Sequence, residues 1–399
     1  MADGDGEFEK AVRHMEPLIS IGVTGTNGKT TVTHIVRHFL EMLGMRCGLV
    51  GTLMWITGDK TYTPTHTTPD AKTLRPLLAE MIASGCSAVA MEVSSHALVQ
   101  KRTSSIDFRV AVFTNLTQDH LDYHKTMEAY AAAKAGLFSG LKESAWAVVN
   151  GDDPYADFMV QQCRASVVTY GMRESVDCRV VEVERGAFTI QYKGENVRVQ
   201  TPLVGFFNVY NVLAAISTLL ALDFNLARLA EIVPSLPPIS GRMERIPNSK
   251  NLQVFVDYAH TPDALEKVLQ AARERATSRV IVVYGCGGGR DPVKRPLMGR
   301  LAEQFADVAI LTSDNPRSED PAVVAEGVLK GCLVPEKTIV ELDRKRAIEQ
   351  AIQLATEDDV VVIAGKGHEK TQVFADRVVP FDDAEVVRLF IEGAGTPQQ

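Results

Sequence analysis

The chain alternates short apolar runs with stretches whose apolar residues recur at helical spacing. Residues 18–23, 88–93 and 109–113 are runs dominated by apolar residues, which is typical of strands buried on both faces. After the first run, from residue 32 onward, apolar residues recur every three or four positions. Strands that alternate with helices in this way predict an α/β fold with a mostly parallel sheet.

The pattern changes twice along the chain. Residues 166–200 contain short β-type runs, which predict a small antiparallel sheet appended to the parallel one. Pro234, Pro237 and Pro238 then mark a junction, after which strands and helices alternate again. The predicted organisation is a lead-in tail at 1–17, a central α/β domain at 18–238 and a Rossmann-like α/β domain at 239–399.

A glycine-rich segment follows the first predicted strand and leads into its helix: Gly25-Thr26-Asn27-Gly28-Lys29-Thr30-Thr31. Glycines let successive backbone N–H groups cradle phosphate oxygens, and the helix N-terminus adds partial positive charge. Lys29 can reach the outer phosphates of ATP, and the Thr30 hydroxyl can ligate the accompanying Mg²⁺. Val23 occupies the position where the standard pattern has glycine. The strand-loop-helix context nevertheless favours a P-loop over a simple glycine turn.

Composition and charge narrow the class of protein. The formal net charge of −8 disfavours nucleic acid as a partner. No apolar run approaches the roughly 20 residues of a membrane span, and the acidic N-terminus does not resemble a secretory signal. The six cysteines are scattered without a C-x-x-C pair, which is typical of reduced thiols. We therefore expect a cytoplasmic enzyme. These features do not bear on the oligomeric state, for which we expect a monomer.

Polar side chains follow two more predicted strands of the central domain. Glu92 ends one strand, and a carboxylate there calls for a cation such as Mg²⁺. The next strand is followed by His120 and His124, whose spacing could place both on one helical face as a zinc pair. Because no further ligand motif supports zinc, a nucleotide–Mg²⁺ site is the preferred interpretation.

Several polar positions admit two interpretations from the residues alone. The loop at 57–70 could bind a polar ligand or be a surface loop that caps the next helix. Asn208 and Asn211 could cap a helix or contact adenine. Lys134 lies in an alanine-rich predicted helix, where a lone lysine is normally solvated.

Loops after the strands of the second domain carry charged groups. Gly285 to Arg290 superficially matches a dinucleotide fingerprint, but its sixth position is arginine, so we reject that interpretation. Arg290, Arg317 and Glu369 each follow a strand, and two arginines with one carboxylate suit a zwitterion such as an amino acid. The alternative is a set of surface ion pairs.

Taken together, these segments resemble the Mur ligase superfamily. The resemblance covers residues 20–390 in the family's order. Besides the glycine-rich segment it rests on Glu92-Val93-Ser94-Ser95-His96, Asn115-Leu116-Thr117-Gln118-Asp119-His120-Leu121-Asp122, Ala133-Lys134, Asn208-Val209-Tyr210-Asn211, Gly241-Arg242-Met243-Glu244, Asp257-Tyr258-Ala259-His260-Thr261-Pro262 and Asp314-Asn315-Pro316-Arg317.

The resemblance implies roles for individual residues. Catalytic roles fall to Lys29, Lys134, Glu92 and His120. The implied Mg²⁺ ligands are Thr30, Glu92, His120 and Lys134, the last as a carbamate. ATP contacts fall to Gly25, Thr26, Asn27, Gly28, Lys29, Thr30, Thr31, Asn115, Asn208, Asn211, Arg242 and Asp257. Contacts to a muramyl dipeptide fall to Thr67, Thr68, Ser94, Gln100 and Arg102. Contacts to diaminopimelate fall to Arg290, Asp314, Asn315, Pro316, Arg317, Gly365 and Glu369.

The resemblance also implies an activity. It is ATP-dependent addition of meso-diaminopimelate to UDP-N-acetylmuramoyl-L-Ala-D-Glu in peptidoglycan synthesis, through an acyl phosphate. Family members carry an N-terminal domain that holds UDP, whereas about twenty residues precede the first predicted strand here, so we expect that domain to be missing. The alternatives are a related ligase with a substrate that lacks UDP and a non-catalytic nucleotide-binding remnant. A P-loop switch or motor has no supporting motif.

Overall fold

The computed structural model describes residues 18–393, so the predicted tail at 1–17 lies outside it. The chain forms two compact units. The first comprises the described residues up to Leu116, Met127–Thr201 and Tyr210–Leu236. The second comprises Thr117–Thr126, Pro202–Val209 and the described residues from Pro237 onward. The domain limits drawn from the sequence stay a prediction.

Eleven strands of the described chain form one sheet in the first unit, in the order β11-β10-β9-β8-β7-β6-β1-β5-β2-β3-β4. They are β1 (Ile19–Thr24), β2 (Cys47–Val50), β3 (Trp55–Ile56), β4 (Thr61–Tyr62), β5 (Ala88–Glu92), β6 (Phe108–Phe113), β7 (Trp146–Asn150), β8 (Ser166–Gly171), β9 (Cys178–Glu184), β10 (Ala187–Tyr192) and β11 (Glu195–Gln200).

The helices of the first half of the chain lie between these strands or follow them. They are α1 (Lys29–Met42), α2 (Ala71–Ala83), α3 (Ser95–Val99), α4 (Leu121–His124), α5 (Met127–Ser139), α6 (Ala156–Val160), α7 (Phe206–Leu220) and α8 (Leu226–Ile232). A short 3₁₀ turn follows at Val233–Ser235. Helix α4 belongs to the second unit.

The central strands of this sheet are parallel, as the sequence pattern predicts. Strand β1 pairs in parallel with β5 and with β6, and β7 continues the parallel order. Strands β9, β10 and β11 are antiparallel. They extend the same sheet, because β8 pairs in parallel with both β7 and β9. The mixed parallel and antiparallel composition is therefore confirmed.

Two local features differ from the sequence pattern. The sequence of residues 47–53 favours a single strand, but β2 ends at Val50, because the backbone N–H of Thr52 donates to the Glu92 carboxylate (2.8 Å) and leaves the strand ladder. The predicted loop at 57–70 includes part of a β3–β4 hairpin, which pairs Ile56 with Thr61. Apolar periodicity alone does not reveal strands of two residues.

A second sheet organises the second unit, in the order β12-β13-β17-β14-β15-β16. Only the pair β12–β13 is antiparallel in the described part of this sheet. The strands of this unit are β12 (Glu244–Arg245), β13 (Gln253–Asp257), β14 (Val280–Tyr284), β15 (Val308–Leu311), β16 (Ile339–Val340), β17 (Val360–Ala364) and a separate hairpin of β18 (Thr371–Val373) and β19 (Val378–Pro380). The helices are α9 (Pro262–Arg275), α10 (Lys294–Phe305), α11 (Pro321–Leu329), α12 (Arg344–Leu354) and α13 (Asp383–Ile391), with a 3₁₀ turn at Pro335–Lys337.

Helices cover both faces of this second sheet. Alternate residues of β14 enter two different cores: Val280 and Val282 pack with α9, α10 and α11, whereas Ile281 and Val283 pack with α12 and α13. When helices cover both faces of a sheet, a ligand can reach it only at the ends of its strands. Ligands of such sheets bind beyond the carboxyl ends of the strands, and β13, β14, β15 and β17 end there side by side. Within residues 18–393, no helix has the length and apolar character that a bilayer crossing demands.

Candidate functional site

The loop between β1 and α1 has a backbone that only glycine adopts without strain. Gly25 has φ +144° and Gly28 has φ +89°. A Cβ on Gly25 would lie 1.9 Å from the Thr114 hydroxyl oxygen, and one on Gly28 would lie 2.4 Å from Oδ1 of Asn211. The loop is therefore packed against its neighbours closely enough to exclude side chains at both glycines.

Asn115 fixes the conformation of this loop. Its Oδ1 accepts from the Asn27 backbone N–H (2.9 Å), and its Nδ2 donates to the Asn27 carbonyl (3.1 Å). The Thr26 N–H donates to the Asn115 carbonyl (2.8 Å), and the Thr114 hydroxyl donates to the Asn27 carbonyl (2.6 Å). The predicted nucleotide residue Asn115 thus holds the loop in shape.

Two lysine ammonium groups converge on the loop. Lys29 Nζ donates to the carbonyls of Gly25 and Thr26, both at 2.8 Å. Lys134 Nζ also donates to the Gly25 carbonyl (2.8 Å) and lies 4.5 Å from the ring centre of Tyr130. Lys134 is only 1% exposed. The interpretation of Lys134 as a solvated lysine is therefore wrong. Lys134 lies on the buried face of helix α5, together with Tyr130, Ala131, Leu137 and Phe138.

Glu92 ends β5 beside the loop strand β1 and is 1% exposed. Its Oε1 accepts from the Thr52 backbone N–H (2.8 Å) and its Oε2 from the Thr52 hydroxyl (3.0 Å). Thr30 is buried in the first turn of α1, as is Thr31. Hydroxyl and carboxylate oxygens are the ligands that Mg²⁺ prefers, so this donor set fits that ion. No cluster of three His, Cys, Asp or Glu side chains suited to a metal occurs among the described residues.

The residues predicted to contact the muramyl dipeptide form one hydrogen-bonded group in the first unit. The Thr68 hydroxyl donates to the Glu92 carbonyl (2.8 Å) and accepts from the Ser94 N–H (3.0 Å). Arg102 donates to the Thr68 carbonyl (2.7 Å) and, from Nε, to Oε1 of Gln100 (2.9 Å). Thr67 joins this group, because its hydroxyl oxygen lies 3.0 Å from that of Thr52.

The predicted nucleotide residues divide between the units. Asn115 and Asn211 lie in the first, and Asn208, Arg242 and Asp257 lie in the second. The Asp257 carboxylate accepts from the backbone N–H groups of Met243 (2.6 Å) and Ala259 (2.8 Å). Burial outweighs these bonds and the nearby Arg242, and it raises the pKa of Asp257 to about 6. Arg242 stacks over the ring of Tyr258 at 4.9 Å. Asn208 donates from Nδ2 to the Val204 carbonyl (2.7 Å).

An open cavity lies beyond the carboxyl ends of the second sheet. Its wall includes the predicted diaminopimelate residues Arg290, Asp314, Asn315, Arg317, Gly365 and Glu369. Pro316 is not part of that wall, although it lies between two residues that are. The structure therefore brings together side chains that the sequence separates by up to 79 positions (290 to 369).

The two arginines of this cavity are not part of the ion pairs that the structure describes around it. The described ion pairs of this region join Asp119 to His120, Arg295 to Glu319 and Lys366 to Glu369, and neither Arg290 nor Arg317 takes part in one. Arg317 has φ +53°, and its Nη1 donates to the Gly288 carbonyl (2.9 Å). Two guanidinium groups thus remain available for anionic groups of a ligand.

The cavity also contains residues that sequence reasoning did not assign: Gln118, Asp119, Asp122, Tyr258, His260, Pro262, Gly287, Asp291 and Lys294. His120 lies among them, with Nε2 3.4 Å from Oδ2 of Asp119. Burial opposes the charge of Asp119, but His120, His260 and Lys294 outweigh it and lower the pKa of that carboxyl. Lys294 donates to the His260 carbonyl (2.7 Å). For Tyr258, His260 and Pro262 the sequence did carry a signal, since all three belong to the segment from Asp257 to Pro262 that resembles the family. Only Asp257 of that segment received a role.

Comparisons with known proteins agree with this geometry. The family model of the Mur ligase middle domain matches residues 23–219, and that of the Mur ligase glutamate ligase domain matches residues 241–367. A relative from Geobacillus thermodenitrificans, named UDP-N-acetylmuramoyl-L-alanyl-D-glutamate–2,6-diaminopimelate ligase, is 45% identical over 383 residues. That match spans 93% of this chain and 78% of the relative.

Solved structures give the same result. A structure of a UDP-N-acetylmuramoyl-L-alanyl-D-glutamate–2,6-diaminopimelate ligase matches with a TM-score of 0.67 and 37% identity, over 96% of this chain and 80% of that one. The folylpolyglutamate synthase of Mycobacterium tuberculosis, complexed with ADP and AMPPCP, shares the fold at a TM-score of 0.70 and 20% identity, over 90% of each chain. The chain therefore belongs to the Mur ligase family of ATP-dependent ligases.

Proposed function

We propose that this chain is a MurE-type ligase, which joins meso-diaminopimelate to the D-glutamyl carboxylate of UDP-N-acetylmuramoyl-L-Ala-D-Glu at the expense of ATP. The observation that carries the proposal is the cavity in which Arg290, Arg317 and Glu369 lie together. Relatives at 45% and 37% identity that bear this enzyme's name support it. ATP and the UDP-linked peptidoglycan precursor are both found in the cytoplasm, so we place the reaction there. The predicted monomeric state stays a prediction.

The reaction has two steps in which atoms and charge balance. A carboxylate oxygen of the acceptor attacks the γ-phosphorus of ATP, which gives an acyl phosphate and ADP. The amine of diaminopimelate, after losing a proton, then attacks the acyl carbon, and phosphate leaves with the acceptor's former oxygen. The backbone of the β1–α1 loop binds the phosphates, and Lys29 offsets negative charge on the transferring group.

Mg²⁺ fits this scheme on the chemistry of the donors present. Within the first unit, Thr30, Glu92 and a carbamylated Lys134 would hold it. When bound, Mg²⁺ neutralises charge on the phosphates. Lys134 is buried against the Gly25 carbonyl, so carbamylation would turn a buried cation near the loop into an anion. The role of His120, which lies in the second unit, stays a prediction.

Charge explains why the amino acid would be diaminopimelate and not lysine. Diaminopimelate has two carboxylates, so each of the guanidinium groups of Arg290 and Arg317 has an anionic partner. Lysine has no distal carboxylate, so when lysine binds, one arginine would be desolvated without gaining an anionic partner. Discrimination of this kind reaches roughly 10³-fold or more when a site is built around a polar group that the competitor lacks.

A substrate panel tests the proposal. Purified protein is mixed with ATP, Mg²⁺ and the UDP-linked acceptor, with either meso-diaminopimelate or L-lysine, and the tripeptide product is measured. We expect product with diaminopimelate and at most trace product with lysine. A parallel reaction with an acceptor that lacks UDP identifies a related ligase with another acceptor. ATP binding with no product in any reaction would instead identify a non-catalytic remnant.

A further inference from the structure

Lys366 is a buried cation directly behind the amino-acid cavity. It follows β17, its side chain is 0% exposed, and it is absent from the cavity wall. Its Nζ donates to Oε2 of Glu369 (2.9 Å) and to Oδ1 of Asn315 (3.1 Å). Both of these partners do line the cavity. A lysine that is buried without solvent contact and touches two cavity residues requires an explanation, because burial of an ammonium group is costly.

The turn around Lys366 forces its side chain inward. Gly365 has φ +113° and Gly367 has φ +53°, conformations that favour glycine. A Cβ on Gly365 would lie 2.5 Å from Oδ2 of Asp314, and a Cβ on Gly367 would lie 2.7 Å from Cβ of Tyr258. The N–H of Glu369 donates to the Lys366 carbonyl (2.9 Å), which places the two side chains one turn apart. The backbone is thus built to bring this ammonium group to this carboxylate.

Asn315 completes the arrangement. Its Oδ1 accepts from Lys366 Nζ (3.1 Å) and from the Val373 N–H (3.0 Å), and its Nδ2 donates to Oε2 of Glu369 (2.8 Å). The Oδ1 of Asn315 is therefore occupied by the protein itself. Oε2 of Glu369 accepts two bonds, from Asn315 and from Lys366, so its position is fixed. The described bonds to this carboxylate all involve Oε2, and the side chain of Glu369 is 29% exposed in the cavity wall.

We infer that Lys366 is a positioning residue that, together with Asn315, holds Glu369 so that its Oε1 receives an ammonium group of the amino-acid substrate. The inference rests on the proposed function and extends it. Lys366 does not touch the substrate, since it lies outside the cavity wall. It acts by holding Glu369 in one rotamer, so the substrate does not have to order that side chain on binding. Asn315, which the sequence suggested as a substrate contact, takes the same supporting role.

Steady-state kinetics with a double-mutant cycle tests the inference. The variants are Lys366→Met, Glu369→Gln and the combination, and the KM for diaminopimelate and for ATP and the kcat are measured for each. We expect Lys366→Met to raise the KM for diaminopimelate about tenfold or more, with the KM for ATP and the kcat within about twofold of the wild type. Since Lys366 acts through Glu369, we expect the double variant to be no worse than Glu369→Gln alone.

The double variant also allows a loss of folding to be recognised, because it leaves neither an unpaired lysine nor an unpaired glutamate in the protein.

Arg279→Met is the matched control. It removes a cation from the ion pair with Asp359 at the opposite end of β14, and we expect it to leave the KM for diaminopimelate unchanged. Additive effects of Lys366→Met and Glu369→Gln, or equal losses for ATP and diaminopimelate, would overturn the inference. A wild-type protein that makes no product would instead overturn the proposed function.

Discussion

At the scale of single residues, the two lysines of the first unit differ in how far the sequence reveals them. Lys29 is recognisable from its place in the glycine-rich loop, because a loop of this kind between a strand and a helix is typical of phosphate binding. Lys134 has no such local context. Its importance depends on burial and on a carbonyl 109 positions away, so spacing along the chain misassigned it and only the family resemblance corrected it.

Lys29→Ala is expected to abolish turnover, with a loss of about 10³-fold or more in kcat. The side chain donates to the loop carbonyls of Gly25 and Thr26, so a change in the loop must be separated from a loss of fold. The measurement is phosphate release with all three substrates present, together with the thermal midpoint. Lys142→Ala removes an exposed lysine of the same unit and serves as the control. Turnover near the wild-type rate in Lys29→Ala would refute the role of this loop.

Arg317→Lys is expected to lower kcat/KM for diaminopimelate by about 10²-fold, because lysine cannot grip a carboxylate through two parallel hydrogen bonds. The KM for ATP should stay within about twofold. Initial rates at varied concentrations of each substrate measure both constants. Arg300→Lys on α10, outside the cavity wall, is the matched control. Equal losses for both substrates would contradict the assignment of Arg317 to the amino acid.

At the scale of elements, the strands and helices follow from apolar periodicity, but the connections between them do not. The pattern predicted β1, β5, β6 and the alternation of the second unit. It missed the β3–β4 hairpin, because two-residue strands have no period. It also could not give the shape of the β1–α1 loop, in which Asn115 accepts and donates across 88 positions of sequence.

Glycine substitutions test that loop as an element. Gly25→Ala should destabilise the protein and prevent ATP binding, because a Cβ would meet the Thr114 hydroxyl and the backbone of Asn115. Gly44→Ala is the control, since Gly44 has φ +82° but open space around its Cβ position. We expect Gly44→Ala to cost about 1 kcal/mol through backbone strain alone. Urea unfolding and titration with ATP measure both variants. Equal costs at the two glycines would show that the loop is not closely packed.

At the scale of the whole molecule, the sequence predicted the α/β class and the family, because these depend on many positions at once. The wall of the amino-acid cavity was predicted only in part. Arg290, Arg317 and Glu369 were found because each follows a strand. Lys366 and His260 were not, because their roles depend on which buried groups face each other across loops from different strands.

His368 should contribute a loss of stability to the second unit as the pH falls below about 6.5. Burial, assisted by the cations of Arg242 and Lys370 and by His260, lowers the pKa of His368 to about 3. The unfolded chain therefore takes up a proton between pH 6.5 and 3 that the folded chain does not, and stability is lost across that window. His368→Gln should make the slope shallower by about 1 kcal/mol per pH unit between pH 6 and 4.

Hydrogen exchange of the amides of β17 against pH measures this slope in the second unit. His66→Gln changes an exposed histidine of the first unit and should leave the slope unchanged. An identical slope in His368→Gln and the wild type would contradict the assignment of this proton to His368.

The central claim is that this chain forms an amide by way of an acyl phosphate, and isotope transfer tests it most directly. The acceptor is labelled with ¹⁸O in its D-glutamyl carboxylate and allowed to react with ATP and diaminopimelate. The released phosphate is then analysed by mass spectrometry. The account predicts one ¹⁸O atom in each phosphate released per tripeptide formed. Tripeptide formed alongside unlabelled phosphate would contradict it.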